Sequence, residues 1–260
     1  MLEKISHSGI KDYLKCPLLF YYRHVLGIRV AERPIPLVFG GAIHKAVELY
    51  EKNGDDPLEV FEDNFEPDKI DYFDRFGREL STRQADDVYE TNLENGFRLL
   101  DHFVEERETG ILKDYEVVST ERYFRRRLRH PITHDRVKVR WMTGIVDFIL
   151  EDGRFGDYKT SGKTYKQATV DESLQPTMYY LWYYLTYRRL PKSFVYIVFL
   201  KRRKTNPIQV LETHRTLTQL GELVDLINEI AVKVEKKQFK RSHGEKAYCD
   251  CFRYEKLLNV

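Results

Sequence analysis

Cysteine is scarce in this chain. Only Cys16, Cys249 and Cys251 occur among its 260 residues. So small and odd a set argues against a disulfide-stapled secreted framework. Long apolar runs are also missing. The densest stretch, Met178 to Tyr187, falls far short of the ~20 apolar residues that a membrane-spanning helix needs. The opening segment MLEKISHSGIKDYLKC has no apolar core of the signal-peptide kind. A soluble, cytoplasmic protein with no membrane association is the expectation, in a host cell's cytoplasm if the chain is phage-encoded. A dominant charge sign is lacking too, since 43 basic against 41 acidic residues leave only +2. No Gly-x-x-x-x-Gly-Lys phosphate loop is present, which argues against an ATP-driven motor. No Gly-x-Ser-x-Gly elbow and no His-Glu-x-x-His signature occur either. Internal repeats and low-complexity linkers are absent.

What is present is a globular composition, 42% hydrophobic and 32% charged, with 18 Tyr and 15 Phe. One elaborated domain over residues 1–260 is expected, with a helical insertion at about 55–110 and a core at about 111–214. Basic residues gather in three runs: Arg125 to Arg129, Lys201 to Lys204, and Lys236 to Arg241. Any one run reads as a solvated face. Three of them beside an acidic motif point toward phosphate contacts.

Periodicity supplies the element order. Ser8 to Tyr22 reads as a short helix burying Leu14, Leu18 and Phe20 or their neighbours. Pro34 and Pro36 mark a loop. Gly40-Gly41 then precede a helix carrying Ile43, Val47 and Tyr50, closed by Asn53-Gly54. Asp55 to Gly77 is acidic and irregular, an insertion or lid. Thr82 to Glu108 is helical. Tyr115 to Leu128, Val137 to Leu150 and Arg154 to Lys159 read as strands, the last two joined by a Glu151-Asp152-Gly153 turn. A helix over Glu172 to Arg188 follows, with Pro176 tolerated in its first turn. Strands at Ser193 to Leu200 and Ile208 to His214 and a helix at Leu217 to Val234 complete the chain. The fold class is α/β, a mixed sheet with helices packed on it.

One segment carries chemistry. Asp147 lies in a predicted strand with Val146, Phe148 and Ile149 around it, where a carboxylate is costly unless paired or metal-bound. Asp157 follows ten positions later, in Asp157-Tyr158-Lys159. A hairpin brings the two strands together, and alternation puts Asp157 and Lys159 on one face. Two carboxylates suit Mg²⁺ or Mn²⁺, hard ions with oxygen ligands. Such an ion activates water and polarises a phosphate. An adjacent lysine can orient the water, act as base if its pKa is depressed, or stabilise developing charge. A structural salt bridge is the plainer alternative for Asp-x-Lys alone.

The ordered set resembles the PD-(D/E)XK nuclease superfamily, in particular its RecB-like branch. The resemblance rests on Ser8 to Pro17 with Phe20-Tyr21-Tyr22, on Gly40-Gly41-Ala42-Ile43-His44, and on Gly144 to Asp147. It continues through Asp157-Tyr158-Lys159-Thr160 and Gln175-x-x-x-Tyr179. It implies a restriction-endonuclease-like fold. It assigns metal ligation, of one or two ions, to His44, Asp147, Asp157 and the Tyr158 carbonyl. It makes Lys159 the catalytic lysine, with Gln175 and Tyr179 contacting DNA or supporting the site. The implied activity is a metal-dependent DNA exonuclease, acting alone or with a helicase or recombinase. Alternatives are a structure-specific or single-strand endonuclease, and a non-catalytic nucleic-acid-binding subunit. Many relatives hold an iron–sulfur cluster with one N-terminal and three C-terminal cysteines. Here Cys16 matches the first, but only Cys249 and Cys251 remain of the others. Free thiols near one another are favoured over a cluster completed by a non-cysteine ligand such as His243. Either arrangement brings the chain ends together.

Overall fold

The computed structural model describes residues 2–30, 33–73, 78–242 and 250–258. The chain opens with β1 (Lys4–Ile5), α1 (His7–Lys15), α2 (Pro17–Phe20) and a π-helical turn at Tyr21–Val25. Next come β2 (Arg33–Pro34), α3 (Ile35–Asn53), α4 (Pro57–Asn64), a 3₁₀ turn at Pro67–Lys69, β3 (Ile70–Asp71) and α5 (Thr82–Glu108). The strands β4 (Val117–Arg129), β5 (Arg136–Leu150) and β6 (Phe155–Ser161) follow without interruption. The rest is α6 (Gln167–Asp171), α7 (Leu174–Tyr187), β7 (Phe194–Leu200), β8 (Ile208–Thr213), α8 (Leu217–Glu235) and α9 (Cys251–Leu258).

The main sheet is mixed. β4, β5 and β6 form an antiparallel meander, β7 is parallel to β6, and β8 is antiparallel to β7. β4 covers one edge of β5 over its whole length. The other edge is shared: β1 pairs there at Trp141 and Met142, β6 only at Phe148 and Ile149. Between these two short pairings no strand among the described residues pairs with this edge. Asp147 lies in that gap.

Helices cover both faces. α1, α7 and α8 enclose one core, built on Ile10, Met142, Val146, Tyr180, Leu223 and Ile227. α3, α4 and α5 enclose a second, built on Phe39, Phe61, Phe103, Phe148, Tyr158 and Phe199. Each fully buried aromatic or aliphatic side chain contributes about 1.5–3 kcal/mol, so the two cores together hold the sheet rigid. Among the described residues, no helix is long and apolar enough to cross a membrane.

Several local expectations need correction. The first helix breaks at Cys16, because Pro17 lacks an N–H and starts a new helix instead of continuing the old one. The residues it buries are Ile10, Tyr13, Leu19 and Phe20, whereas Leu14 is 50% exposed. Gly40 and Gly41 lie inside α3, which begins at Ile35 with Pro36 in its first turn. Gly40 permits a close approach, since a Cβ there would sit 3.3 Å from Thr160 Oγ1 on β6. The acidic stretch after Gly54 is not all irregular. Asp56 caps α4 by accepting from the Leu58 amide at 2.8 Å. Gly54 does close α3, in the left-handed conformation at φ 76°.

Candidate active site

The site forms where two strands part. β5 and β6 pair at Phe148–Gly156 and no further toward Asp147. Gly156 makes this pairing close, because a Cβ would meet the Val195 carbonyl and the Phe148 ring within 2.4 Å. Beyond it the strands splay. The Asp147 carboxylate, not a backbone carbonyl, accepts the Tyr158 amide, at 2.9 Å.

β5 also changes phase here. Met142 and Val146 belong to the α7 and α8 core, while Phe148 and Leu150 belong to the other. Two-residue alternation would keep them on one face. The partner strand shows the cause. Glu121 falls between the paired residues Thr120 and Arg122, opposite Asp147, and adopts φ 46°. A non-glycine residue in the left-handed region is strained, and such strain gathers at functional sites.

The result is a convergence of donors. His44 Nδ1 on α3 lies 3.2 Å from Asp147 Oδ2. Among the described residues, His44, Glu121 and Asp147 each offer one ligand atom, all within 4.8 Å of one another. On β6, Asp157 and Lys159 share a face as alternation predicts, and their side chains form an ion pair. Gln175 donates to the other Asp157 oxygen. Asp157 and Gln175 are almost wholly buried.

α7 supports this from behind. Ser173 stands at the N-cap position without a side-chain capping hydrogen bond, and Pro176 occupies the first turn without cost. Gln175 and Tyr179 share a face, with Nε2 and the hydroxyl 3.5 Å apart. Tyr179 donates to the Ile145 carbonyl at 2.6 Å. Gly144 makes room for it, since a Cβ there would strike the Phe124 ring at 2.6 Å and approach Tyr179 at 3.2 Å. Both residues of the expected helix motif are therefore buried supports. The segment before α7 is held by Arg215, whose guanidinium donates to Val170 and Ser173 carbonyls at 3.0 and 2.8 Å and to Thr177 Oγ1 at 2.8 Å.

Electrostatics set the site apart. Burial and the neighbouring Asp147 push the Asp157 carboxyl up to about 6. Burial, then Asp147 and Glu48, push Glu121 up to about 7. His44 loses basicity to burial but regains more from its Asp147 hydrogen bond and the two aspartate charges, so it titrates above its ordinary value. Burial likewise opposes the charge on Lys159, and Asp157 and Asp147 outweigh it. Without a bound ion, Lys159 is thus held as a cation by the two aspartates.

The donor set fits a divalent cation. Burial, then repulsion from neighbouring carboxylates, raises Asp157 and Glu121, a cost that such an ion relieves. The site opens into a cleft of about 1130 Å³, lined by Lys11, His44, Glu121, Lys159, Lys201 and Arg202 among others. Of the three basic runs, only Lys201 to Lys204 reaches this cleft. Arg126 instead donates to the Leu185 carbonyl, and Arg125 stacks over Trp141. Lys237 lines a separate hollow beside Leu2 and Phe239.

Glu121 escaped the sequence reading. Register counted from the turn would have missed it: from Arg129↔Arg136 the count puts Glu121 across from Gly144, and the shift between Arg127 and Arg129 is what carries it opposite Asp147. The cysteines behave as expected in one respect. Cys16 and Cys251 are buried in one cluster with Leu19, Tyr22 and Tyr254, so the chain ends do meet. Cys249 and His243 lie outside the described residues.

Comparison with known proteins agrees with this geometry. No curated protein sequence matches the chain. A candidate exonuclease from Eubacterium rectale aligns with 97% of this chain and 88% of its own, at 16% identity and TM-score 0.58, which supports the fold. The structure of SSO0001 aligns over 88% of this chain and 85% of its own, but at 12% identity and TM-score 0.36 it adds nothing. The family model of the PD-(D/E)XK nuclease superfamily matches residues 4–254. With that match spanning nearly the whole mixed sheet and its acidic cleft, the chain belongs to the PD-(D/E)XK nuclease superfamily.

Proposed function

We propose that this protein is a divalent-metal-dependent DNA exonuclease of the RecB-like kind, using Mg²⁺ or Mn²⁺. The observation that carries the reading is the convergence of His44, Glu121 and Asp147 ligand atoms within 4.8 Å, beside a charged Lys159. His44, Glu121, Asp147 and Asp157, with the Tyr158 carbonyl, would hold the ion. When bound, a divalent cation activates water and offsets charge on the scissile phosphate.

The chain's own residues do the rest. Lys159, held between Asp157 and the cleft, orients the attacking water and stabilises the charge that develops on the phosphate. Gln175 fixes the Asp157 carboxylate so that it presents one orientation. Tyr179 fixes the Ile145 carbonyl and so the approach of β5 to the site. Thr91, Asn92 and Asn95 of α5 form the far wall of the cleft, which gives the inserted helices a part in guiding the strand. The exonuclease assignment follows the RecB-like resemblance and the description of the Eubacterium rectale relative.

The test compares end-labelled linear DNA with closed circular DNA, single- and double-stranded, with Mg²⁺ or Mn²⁺. Degradation of linear DNA alone is the expected result. Cutting of circles at a similar rate would replace exonuclease with endonuclease. No cutting of any form would refute the enzyme reading.

A further inference from the structure

Next to the main cleft lies a smaller cavity of about 320 Å³. The two share Lys11, Lys159 and Tyr165, so Lys159 stands at their junction. The smaller one is built from two opposed surfaces. α1 presents His7, Lys11 and Leu14, at i, i+4 and i+7, which is one face of the helix. Opposite stand Val170, Leu174 and the rings of Tyr165 and Tyr196.

Its lining has a distinct chemistry. Among the described residues, Lys11 and Lys159 are the cations and no carboxylate lines the walls. His7 is held neutral, down to about 4, by burial and by Lys159 and Lys11, so it offers hydrogen bonds and not charge. Leu14 is 50% exposed, an apolar side chain standing in water without a core to join. Tyr165 is fixed in place, since its amide donates to Gln209 Oε1 at 2.9 Å and its carbonyl accepts from Gln209 Nε2 at 3.0 Å. Its ring stands edge-on to Tyr196 at 6.3 Å. A cationic rim over an apolar, aromatic floor matches a nucleotide, whose phosphate is anionic and whose base has two flat apolar faces. The volume lies at the low end of the ~300–1,000 Å³ range of small-ligand sites, enough for one nucleotide and too little for a base pair.

We propose that this cavity is a subsite for the single nucleotide flanking the scissile phosphate, with Lys11 on its phosphate and Leu14 and Tyr165 against its base. This deepens the nuclease reading and rests on it. An unpaired end nucleotide enters the cavity, the phosphate reaches Lys159, and the remaining strand leaves along Lys201 and Arg202. The product is then a mononucleotide.

The test has two arms, both on the full chain. In the first, calorimetry on EDTA-treated protein measures binding of thymidine 5′-monophosphate, thymidine 3′-monophosphate and inorganic phosphate. One of the two nucleotides binds, and more tightly than phosphate. Lys11→Ala and Leu14→Asp each weaken it at least ten-fold, while Arg127→Ala, on another basic run, leaves it unchanged. Leu14→Ala serves if the aspartate variant does not fold, as judged by its thermal melt. Absence of nucleotide binding, or binding that ignores both Lys11 and Leu14, overturns the subsite. Phosphate binding as tightly as nucleotide also overturns it, because the apolar floor would then do nothing. In the second arm, products of the first turnovers on an end-labelled strand are sized. Mononucleotides support the proposal and longer fragments overturn it. Protein that binds nucleotide but cuts no DNA would sink the nuclease reading and leave the subsite standing.

Discussion

Two buried acidic centres in this molecule are built on opposite principles. In the first, near the chain ends, a single carboxylate meets a surplus of donors. Asp12 accepts from Arg23 Nη1 at 3.2 Å and lies 2.9 Å from His24 Nε2, while Arg23 Nε also reaches the Tyr254 hydroxyl at 2.7 Å. Burial would raise the Asp12 pKa, but the His24 and Arg23 contacts outweigh it and hold it below the ordinary value. In the second centre, Glu121, Asp147 and Asp157 share His44 and Lys159, and the Asp157 and Glu121 carboxyls rise to about 6 and about 7. One centre is electrostatically satisfied and the other is not. Satisfaction marks a structural joint, and dissatisfaction marks a place prepared for a missing charge.

The largest effect that separates them is on cleavage. Asp157→Asn and Lys159→Ala are each expected to lower metal-dependent DNA cleavage by at least ~10³-fold, at the upper end for loss of one electrostatic stabiliser. Thermal melts in EDTA should show Asp157→Asn at or above the wild-type midpoint, since it removes repulsion. A clear drop in that midpoint would mean that Asp157 is a structural acid like Asp12. Gln175→Ala comes next, with a ~10–100-fold loss, the range for removing a partner that orients a metal ligand. Unchanged rates would show that Asp157 needs no such support. Asp12→Ala should do the reverse of these, leaving activity per folded molecule intact and costing about 1.5–3 kcal/mol of stability, the range for hydrogen bonds to charged groups. Urea titration measures it.

The smallest effect is in pH. A carboxyl whose folded pKa is raised binds its proton more tightly in the native state, so stability falls as pH rises between the unfolded value near ~4 and the folded one. Metal-free protein should therefore lose stability as pH climbs from ~4 through the values of about 6 and about 7. His44, raised above its ordinary value, acts in the same direction at the upper end of that window. Mn²⁺ or Mg²⁺ should flatten this fall. Asp12 has the opposite sign: its stabilisation is full above the unfolded pKa and is lost as pH drops through its depressed folded value. A melt series at each pH, with and without metal, separates the two centres.

Much of this was legible in the chain. From Thr82 onward hydrophobic period gives the five strands and the three long helices but misses the short α6 and the terminal α9, and β7 is apolar throughout because both its faces are covered. Asp157 and Lys159 fall on one face by alternation alone. Gln175 and Tyr179 meet by helical spacing. What stayed hidden depends on backbone departures that no local pattern encodes. Glu121 joins the site only because it adopts φ 46° and the hairpin changes phase. Gly40 and Gly41 read as preceding a helix, yet both sit inside α3, where Gly40 passes close to Thr160. Leu14 fits a buried helical stripe but faces the smaller cavity. Arg215 carried no sequence signal, because its partners are carbonyls and hydroxyls from segments far away along the chain.

One further pair of contacts has a mechanical meaning. Arg98, in the middle of α5, donates to the carbonyls of Lys201 at 2.9 Å and Arg203 at 2.7 Å. The Lys201 amide is held in turn by the Ser161 carbonyl at 2.8 Å, at the end of the strand that carries Asp157 and Lys159. The tip of the β7–β8 hairpin is thus riveted to a 27-residue helix on one side and to β6 on the other. On the proposed reading, tension on a strand drawn along that tip would be carried into the long helix as a lever arm, keeping the distance between grip and scissile bond fixed under load.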